Sequence, residues 1–294
     1  MSIKEIVDFH GGVVAISSYK SLRTGWSQAV RKGSLVKALP GIVMDPGLEG
    51  DGGAWIRAVN LWDPNAAIAG RAAAALSFDA TTDVSDVVVY TSRRVEDRGL
   101  LRFRRHQIPA EHLEWTGDFR ITNPSATALT AGLDGDFQTA TTALRLGLVS
   151  VASLTALAGQ WAPGRPRPAQ KVAEALSRNP WSVAELEAHR LLRDHGITGW
   201  VGNLRVTLAG KEWVLDIALE DARIAFEINS FEFHSSKEAM ERDAVKANAL
   251  AAGGWRCYVL TPRQIRDNPE EATDLIRRVI WKRHQAKPRN IRKR

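Results

Sequence analysis

The chain has 294 residues, 44% of them hydrophobic and 25% charged, with a formal net charge of +7. That is globular composition with length enough for two domains, and a single cysteine, Cys257, excludes an internal disulfide or a cysteine-rich zinc site. No signal peptide opens the sequence and no apolar run is long enough to span a bilayer, so a soluble, cytoplasmic protein with no membrane partner is expected.

Residues 1–50 read as a compact helical unit with a hairpin. IKEIVDFH predicts a helix with Ile3, Ile6 and Val7 on one side, ended by Gly11-Gly12. ISSYKSL reads as a second short helix, Gly25 as a turn, and WSQAVRKG as a third helix closed by Gly33. SLVKALPGIVMDPG then reads as two short strands about Pro40-Gly41. Three short helices followed by a hairpin is the order of a winged helix-turn-helix, whose helix after the turn enters the major groove. Ser27, Gln28, Arg31 and Lys32 would form its exposed, DNA-binding face, with Ala29 and Val30 packed inward. The same pattern also serves in purely structural bundles.

Residues 51–165 read as an α/β region. DVVVYTSRR and LLRFRRHQI are predicted strands carrying Arg93, Arg94, Arg102, Arg104 and Arg105. Side by side, they would present either a basic surface for phosphate or a solvated sheet face. WAPGRPRPAQ (161–170) is expected to break helix and mark the domain boundary.

The stretches FHGGVVAISSYKSLRTGWSQAVRKGSLVKALPGIVM, SDVVVYTSRR, LRFRRHQIP and FRITNPSATALTAGL resemble the N-terminal region of the AbiEi-type antitoxin family, over roughly residues 3 to 160. In that family a winged helix precedes an α/β region with a Thr-x-Pro-x-x-Thr helix start, matched here by Thr122 to Thr127. The resemblance implies operator DNA as a partner and a cognate toxin as another.

Residues 175–281 predict helix, three strands, helix, strand. Ser182 precedes the helix VAELEAHRLLRDHG, ended by Gly196. NLRVTLAG, KEWVLDIAL and RIAFEIN follow as strands, then a helix from about Ser236 to Ala252, then the strand WRCYVLT. Cys257 within it reads as a small buried hydrophobe. By strand alternation Trp213, Leu215, Ile217 and Leu219 would share one face, and Asp216 the other with Val214 and Ala218. Ile224, Phe226 and Ile228 would share a face, opposite Ala225, Glu227 and Asn229. If the two strands pair through the short turn EDA, Asp216 and Glu227 face one space, left open by Ala218 and Ala225.

Two carboxylates brought together raise each other's pKa unless a cation neutralises them. A hard divalent metal, Mg²⁺ or Mn²⁺, does so with oxygen ligands, and the Ile228 carbonyl could add one. That set suits metal-assisted phosphodiester cleavage.

The pattern S-x-x-E…L-L…L-D-I-A…I-A-F-E-I-N…F-H…E-R-D…G-W-R-x-Y, residues 180 to 265, resembles the very-short-patch-repair-like branch of the PD-(D/E)xK nuclease superfamily. The resemblance implies a restriction-endonuclease-like mixed sheet flanked by helices. It makes Asp216 and Glu227 metal ligands, Glu185 an accessory acid and His234 a neighbour of the scissile phosphate. Arg242 and Asp243 would lie on the flanking helix, with Arg242 toward DNA. Asn229-Ser230 departs from the family, which places lysine, or in this branch an acid followed by glycine, at the first position. Lys246, on the same helix face as Asp243, could supply the missing cation, and His234 the general base. Simpler readings stand beside these: Ser182 and Glu185 also form a capping box, Asp243 and Lys246 a surface ion pair, and His234 a local hydrogen bond.

The tail KRHQAKPRNIRKR (282–294) holds seven Lys/Arg and no acid, equal to the whole net excess. It reads as a phosphate-touching arm or a frayed terminus. The expected fold class is therefore α+β and α/β, in four segments: 1–50, 51–165, 175–281 and 282–294. The expected function is a metal-dependent DNA endonuclease of defence or repair, homodimeric in one version. The alternative is an AbiEi-like regulator whose nuclease-like domain no longer cuts.

Overall fold

A computed structural model describes residues 1–161, 166–229 and 237–285. The architecture is mixed α+β, as expected, in two compact units, Met1–Ala173 and Glu174–Arg294.

In the first unit, α1 (Ile3–Phe9) starts with a capping box between Ser2 and Glu5. A strand the sequence did not announce, β1 (Val13–Ala15), follows. Ile16–Leu22, expected as a short helix, is a 3₁₀ helix kinked at Tyr19. α2 (Arg23–Arg31) then begins earlier than predicted, and Gly25 lies inside it rather than at a turn. A Cβ at Gly25 would sit 2.7 Å from Ile3 Cδ1, so the glycine lets α1 pack closely. β2 (Val36–Leu39) and β3 (Ile42–Met44) form the expected antiparallel hairpin, and the sheet order is β1-β3-β2. Ile6, Val7, Val14, Trp26, Leu35 and Val43 make its core, with Ala29 and Val30 packed against it as expected.

The rest of this unit contains α3 (Gly52–Trp62), β4 (Ala67–Ala69), α4 (Gly70–Ser77), β5 (Val87–Tyr90), β6 (Leu101–Arg104), β7 (Leu113–Thr116), β8 (Phe119–Thr122), α5 (Pro124–Leu133), α6 (Phe137–Arg145) and α7 (Val151–Gln160). The strands form one mixed sheet ordered β6-β5-β4-β8-β7. β5 and β6 are parallel neighbours, but three of their arginines have partners within the fold. Arg93 pairs with Asp63 at 3.3 Å, Arg104 pairs with Asp134 at 2.5 Å, and Arg102 donates to the Gly99 and Leu101 carbonyls. Thr122 to Thr127 does start a helix. Asn123 caps it by accepting from Ala126 N–H at 3.0 Å, and the buried Thr127 hydroxyl donates to the Thr122 carbonyl at 2.9 Å.

α8 (Pro166–Ala175) begins inside the segment expected to break helix, and the boundary between units falls within it. Prolines are tolerated in a first turn, where N–H groups have no intrahelical partner.

The second unit has α9 (Val183–Asp194), β9 (Val201–Leu208), β10 (Lys211–Leu219), β11 (Ile224–Ile228), α10 (Lys237–Ala252), β12 (Arg256–Leu260), α11 (Pro262–Asp267) and α12 (Pro269–Gln285). The sheet order is β12-β11-β10-β9, antiparallel except that β12 runs parallel to β11. The predicted order of elements holds through β12. α12 carries the first four residues of the segment expected as a tail, and 286–294 lie outside the described residues.

Two clusters fill the faces of this sheet. Ile217, Leu219, Ile224 and Phe226 pack with α9 and α12, while Ala218 and Ala225 pack with Leu250 and Trp255. Ala218 and Ala225 are cross-strand partners, as the hairpin through Glu220–Ala222 requires. Leu215 departs from the expected alternation, joining the cluster of Ala218 and not that of Ile217. Cys257 is exposed rather than buried, because β12 is an edge strand. Burial of the sulfur's surroundings, then the Glu227 charge, pushes its thiol up to about 11.

Candidate active site

The acids of β10 and β11 meet at the centre of the second sheet. Asp216 precedes the paired stretch Ile217–Leu219, and Glu227 follows its partner Phe226. The Asp216 carboxylate turns toward β11, and its Oδ2 accepts from Ile228 N–H at 2.8 Å. Glu227 is buried, and Lys246 from α10 donates to its Oε2 in an ion pair. Among the described residues, the other oxygen, Glu227 Oε1, is buried with no hydrogen-bond partner.

The electrostatics follow from burial. Desolvation raises the Asp216 pKa, opposed by the Ile228 N–H and the Lys246 charge. Desolvation, then the Asp216 charge, pushes Glu227 up to about 7, against the pull of Lys246. Two acids that resist ionising, beside one cation, make a centre hungry for more positive charge.

Glu185 lies at the start of α9. Its Oε2 accepts from Trp181 N–H at 2.8 Å and from Asn203 Nδ2 at 2.6 Å, and its Oε1 accepts from the Ser182 hydroxyl at 2.9 Å. Both oxygens are therefore engaged, and the capping of α9 accounts for much of the residue's placement. It still feels the site: burial, then the Asp216 charge, raises its pKa.

The other expected residues are placed less centrally. Asn229 ends β11, half-buried, its N–H bonded to the Leu260 carbonyl at 3.0 Å. Arg242 and Asp243 are exposed on α10, one turn before Lys246. His234 lies outside the described residues. In the first unit Ser27, Gln28 and Arg31 are exposed on α2, and Lys32 is its exposed C-cap.

Two residues of the site escaped the sequence reading. His189, one turn after Glu185 on α9, is fully buried against Trp200, ring centroids 4.8 Å apart, and its ring lies beside the Asp216 backbone. Asn203 of β9 is buried, and its amide reaches both Glu185 and the Asn179 carbonyl. The i,i+4 spacing of Glu185 and His189 was the available signal for the first. Nothing local marked the second.

A divalent cation fits this set. The unpartnered, buried Glu227 Oε1 is an open oxygen donor, and Asp216 and the Ile228 carbonyl belong to the same stretch of sheet. Among the described residues no three Asp, Glu, His or Cys side chains converge on one point, so such an ion would draw its remaining ligands from backbone, water and substrate. Among the described residues, too, no helix is long and apolar enough to cross a membrane. No family model matches this chain, and no curated protein matches its sequence.

Proposed function

We propose that the chain is a Mg²⁺- or Mn²⁺-dependent DNA endonuclease of the very-short-patch-repair-like class, acting in defence or repair, in which a winged-helix-like segment of the first unit binds DNA. The single observation that carries this reading is the pair of desolvated carboxylates on adjacent strands, with one buried oxygen unpartnered and a lysine alongside. A divalent cation held by Asp216, Glu227 and the Ile228 carbonyl would polarise the phosphodiester and lower the pKa of an attacking water.

The chain's own residues divide the remaining work. Glu227 must be ionised to take part, which its raised pKa allows only near and above neutral pH. Lys246 offers an ammonium to a phosphate oxygen, in place of the lysine absent at Asn229. Asn229 can orient a water or phosphate but cannot take a proton. Glu185 contributes negative charge beside Asp216 while it caps α9. His234, outside the described residues, or a metal-bound water would serve as the general base. Ser27, Gln28, Arg31 and Lys32 would contact DNA from α2, and Arg242 from α10.

A second reading has its own support: an AbiEi-like regulator that binds operator DNA, with a toxin as partner, and no longer cuts. Lys246 already neutralises Glu227 internally, and Asn229 replaces an acid or lysine. The deciding experiment incubates the protein with supercoiled plasmid, linear duplex and single-stranded DNA in Mg²⁺, Mn²⁺ or EDTA. Metal-dependent nicking, lowered at least about a hundredfold by Asp216→Ala and by Glu227→Gln, is expected of a nuclease. Cleavage that survives either substitution would overturn the assignment. No cleavage with retained DNA binding would favour the regulator.

A further inference from the structure

We propose that Asn203 is a positioning residue, and that its left-handed backbone aims the Asp216 carboxylate at β11. β9 and β10 pair rung by rung, with Leu204 opposite Leu215 and Gly202 opposite Ile217. Between these rungs Asn203 stands opposite Asp216, and no ladder pair forms there. Asn203 has φ +49°, a conformation that Asn tolerates and most side chains resist.

Both strands change faces at this one rung. On β10, Leu215 packs with Ala218, Ala225 and Leu250, yet Ile217 packs with Ile224 and Phe226. On β9, Leu204 packs with the Leu215 cluster, yet the next residue but one, Gly202, faces His189 of α9. Strict alternation would have kept each of these pairs on one face. A single left-handed residue supplies the missing rotation, as in a bulge. The residue caught in the change is Asp216. Its side chain leaves the face of the sheet and bonds Ile228 N–H at 2.8 Å, on the strand that also carries Glu227.

The Asn203 side chain makes a separate tie, to the start of α9. Nδ2 donates to Glu185 at 2.6 Å and to the Asn179 carbonyl at 2.9 Å, which ties β9 to the start of α9. Thus one residue sets the backbone opposite Asp216 and anchors the neighbouring acid. Its meaning for catalysis rests on the nuclease reading above, but its effect on the Asp216–Ile228 bond does not.

That bond gives the test. Amide hydrogen exchange is followed by NMR in the full chain, without metal or DNA, at Ile228 and at Asn229. Asn229 N–H bonds Leu260 and reports the strand without Asp216. Asp216→Ala is the positive control. Asn203→Ala and Asn203→Val, which disfavour the left-handed conformation, are expected to speed Ile228 exchange about tenfold relative to Asn229. Asn203→Gly, which accepts that conformation, is expected to stay within about threefold of the native ratio. A general loss of stability would speed both amides together and leave the ratio unchanged. An unchanged ratio in Ala and Val overturns the proposal, and so does a ratio lost in Gly, which decides it if Ala and Val do not fold. Failure of the wild type to cut DNA would sink the nuclease reading and leave this ratio untouched.

Discussion

His189 carries a pH dependence that can be separated from its surroundings. Burial pushes its pKa down to about 4, against the pull of the Asp216 backbone and with the Arg193 and Arg178 charges adding to it. Between that value and the ordinary 6.5 the unfolded chain binds the extra proton, so this contribution is complete above pH 6.5 and is lost as pH falls toward 4. The loss amounts to about 3 kcal/mol. Glu227 works in the opposite sense. Its folded pKa lies above the unfolded one, so its contribution falls as pH rises from 4.5 to about 7. The check is therefore a difference: from pH 7.5 to pH 4.5 in urea unfolding, the wild type is expected to lose about 3 kcal/mol relative to His189→Leu. Parallel curves would show that His189 is not held neutral. Glu227 yields a second prediction. Protons compete with a divalent ion for this carboxylate, so thermal stabilisation by Mn²⁺ should grow from pH 6 to pH 8 and vanish in Glu227→Gln. A shift independent of pH, or one that survives the substitution, would remove Glu227 from the metal site.

At the scale of elements, β9 passes α9 too closely for any side chain at Gly202. A Cβ there would stand 2.1 Å from the Arg178 carbonyl oxygen and 2.7 Å from His189 Cε1. Gly202→Ala is expected to cost about 2 kcal/mol or more, because the Arg178 backbone carbonyl and the buried His189 ring would both have to shift. Asn123→Ala, which removes the cap of α5, should cost about 1 kcal/mol. Urea unfolding of the two variants ranks them, and a Gly202→Ala protein as stable as wild type would refute the close approach. These elements differ in how far the sequence announced them. Ser182 and Gly196 bracket α9, and Asn123-Pro124 opens α5, because caps and breakers act within a few residues. β1 was missed because three residues give no period to read. Gly25 misled because a glycine that permits helix contact looks, in sequence, like one that makes a turn.

For the molecule as a whole, the nuclease and regulator readings agree that the first unit meets DNA. Arg31→Ala and Lys32→Ala should each lower the slope of log affinity against log salt by about 1, measured by fluorescence anisotropy on duplex DNA. Glu227→Gln should leave that slope unchanged. A native slope in the Arg31/Lys32 double variant would place the DNA contact elsewhere. The arginines of β5 and β6 are weaker candidates, since Arg93 and Arg104 are paired with Asp63 and Asp134.

The amino-acid sequence by itself determined the α+β composition, the helix–strand order of the second unit, the small faces at Ala218 and Ala225, and the exposed polar face of α2. Each of these is written in residues a few positions apart, where alternation, helical period and capping operate. The tertiary structure alone decided what each charge meets. It brought Lys246 to Glu227 across nineteen positions, paired Arg93 and Arg104 with Asp63 and Asp134, left Cys257 on an open edge, and set Asn203 against Asp216. Burial and ion pairing depend on which distant segments come to share one low-dielectric space, and no local period records that.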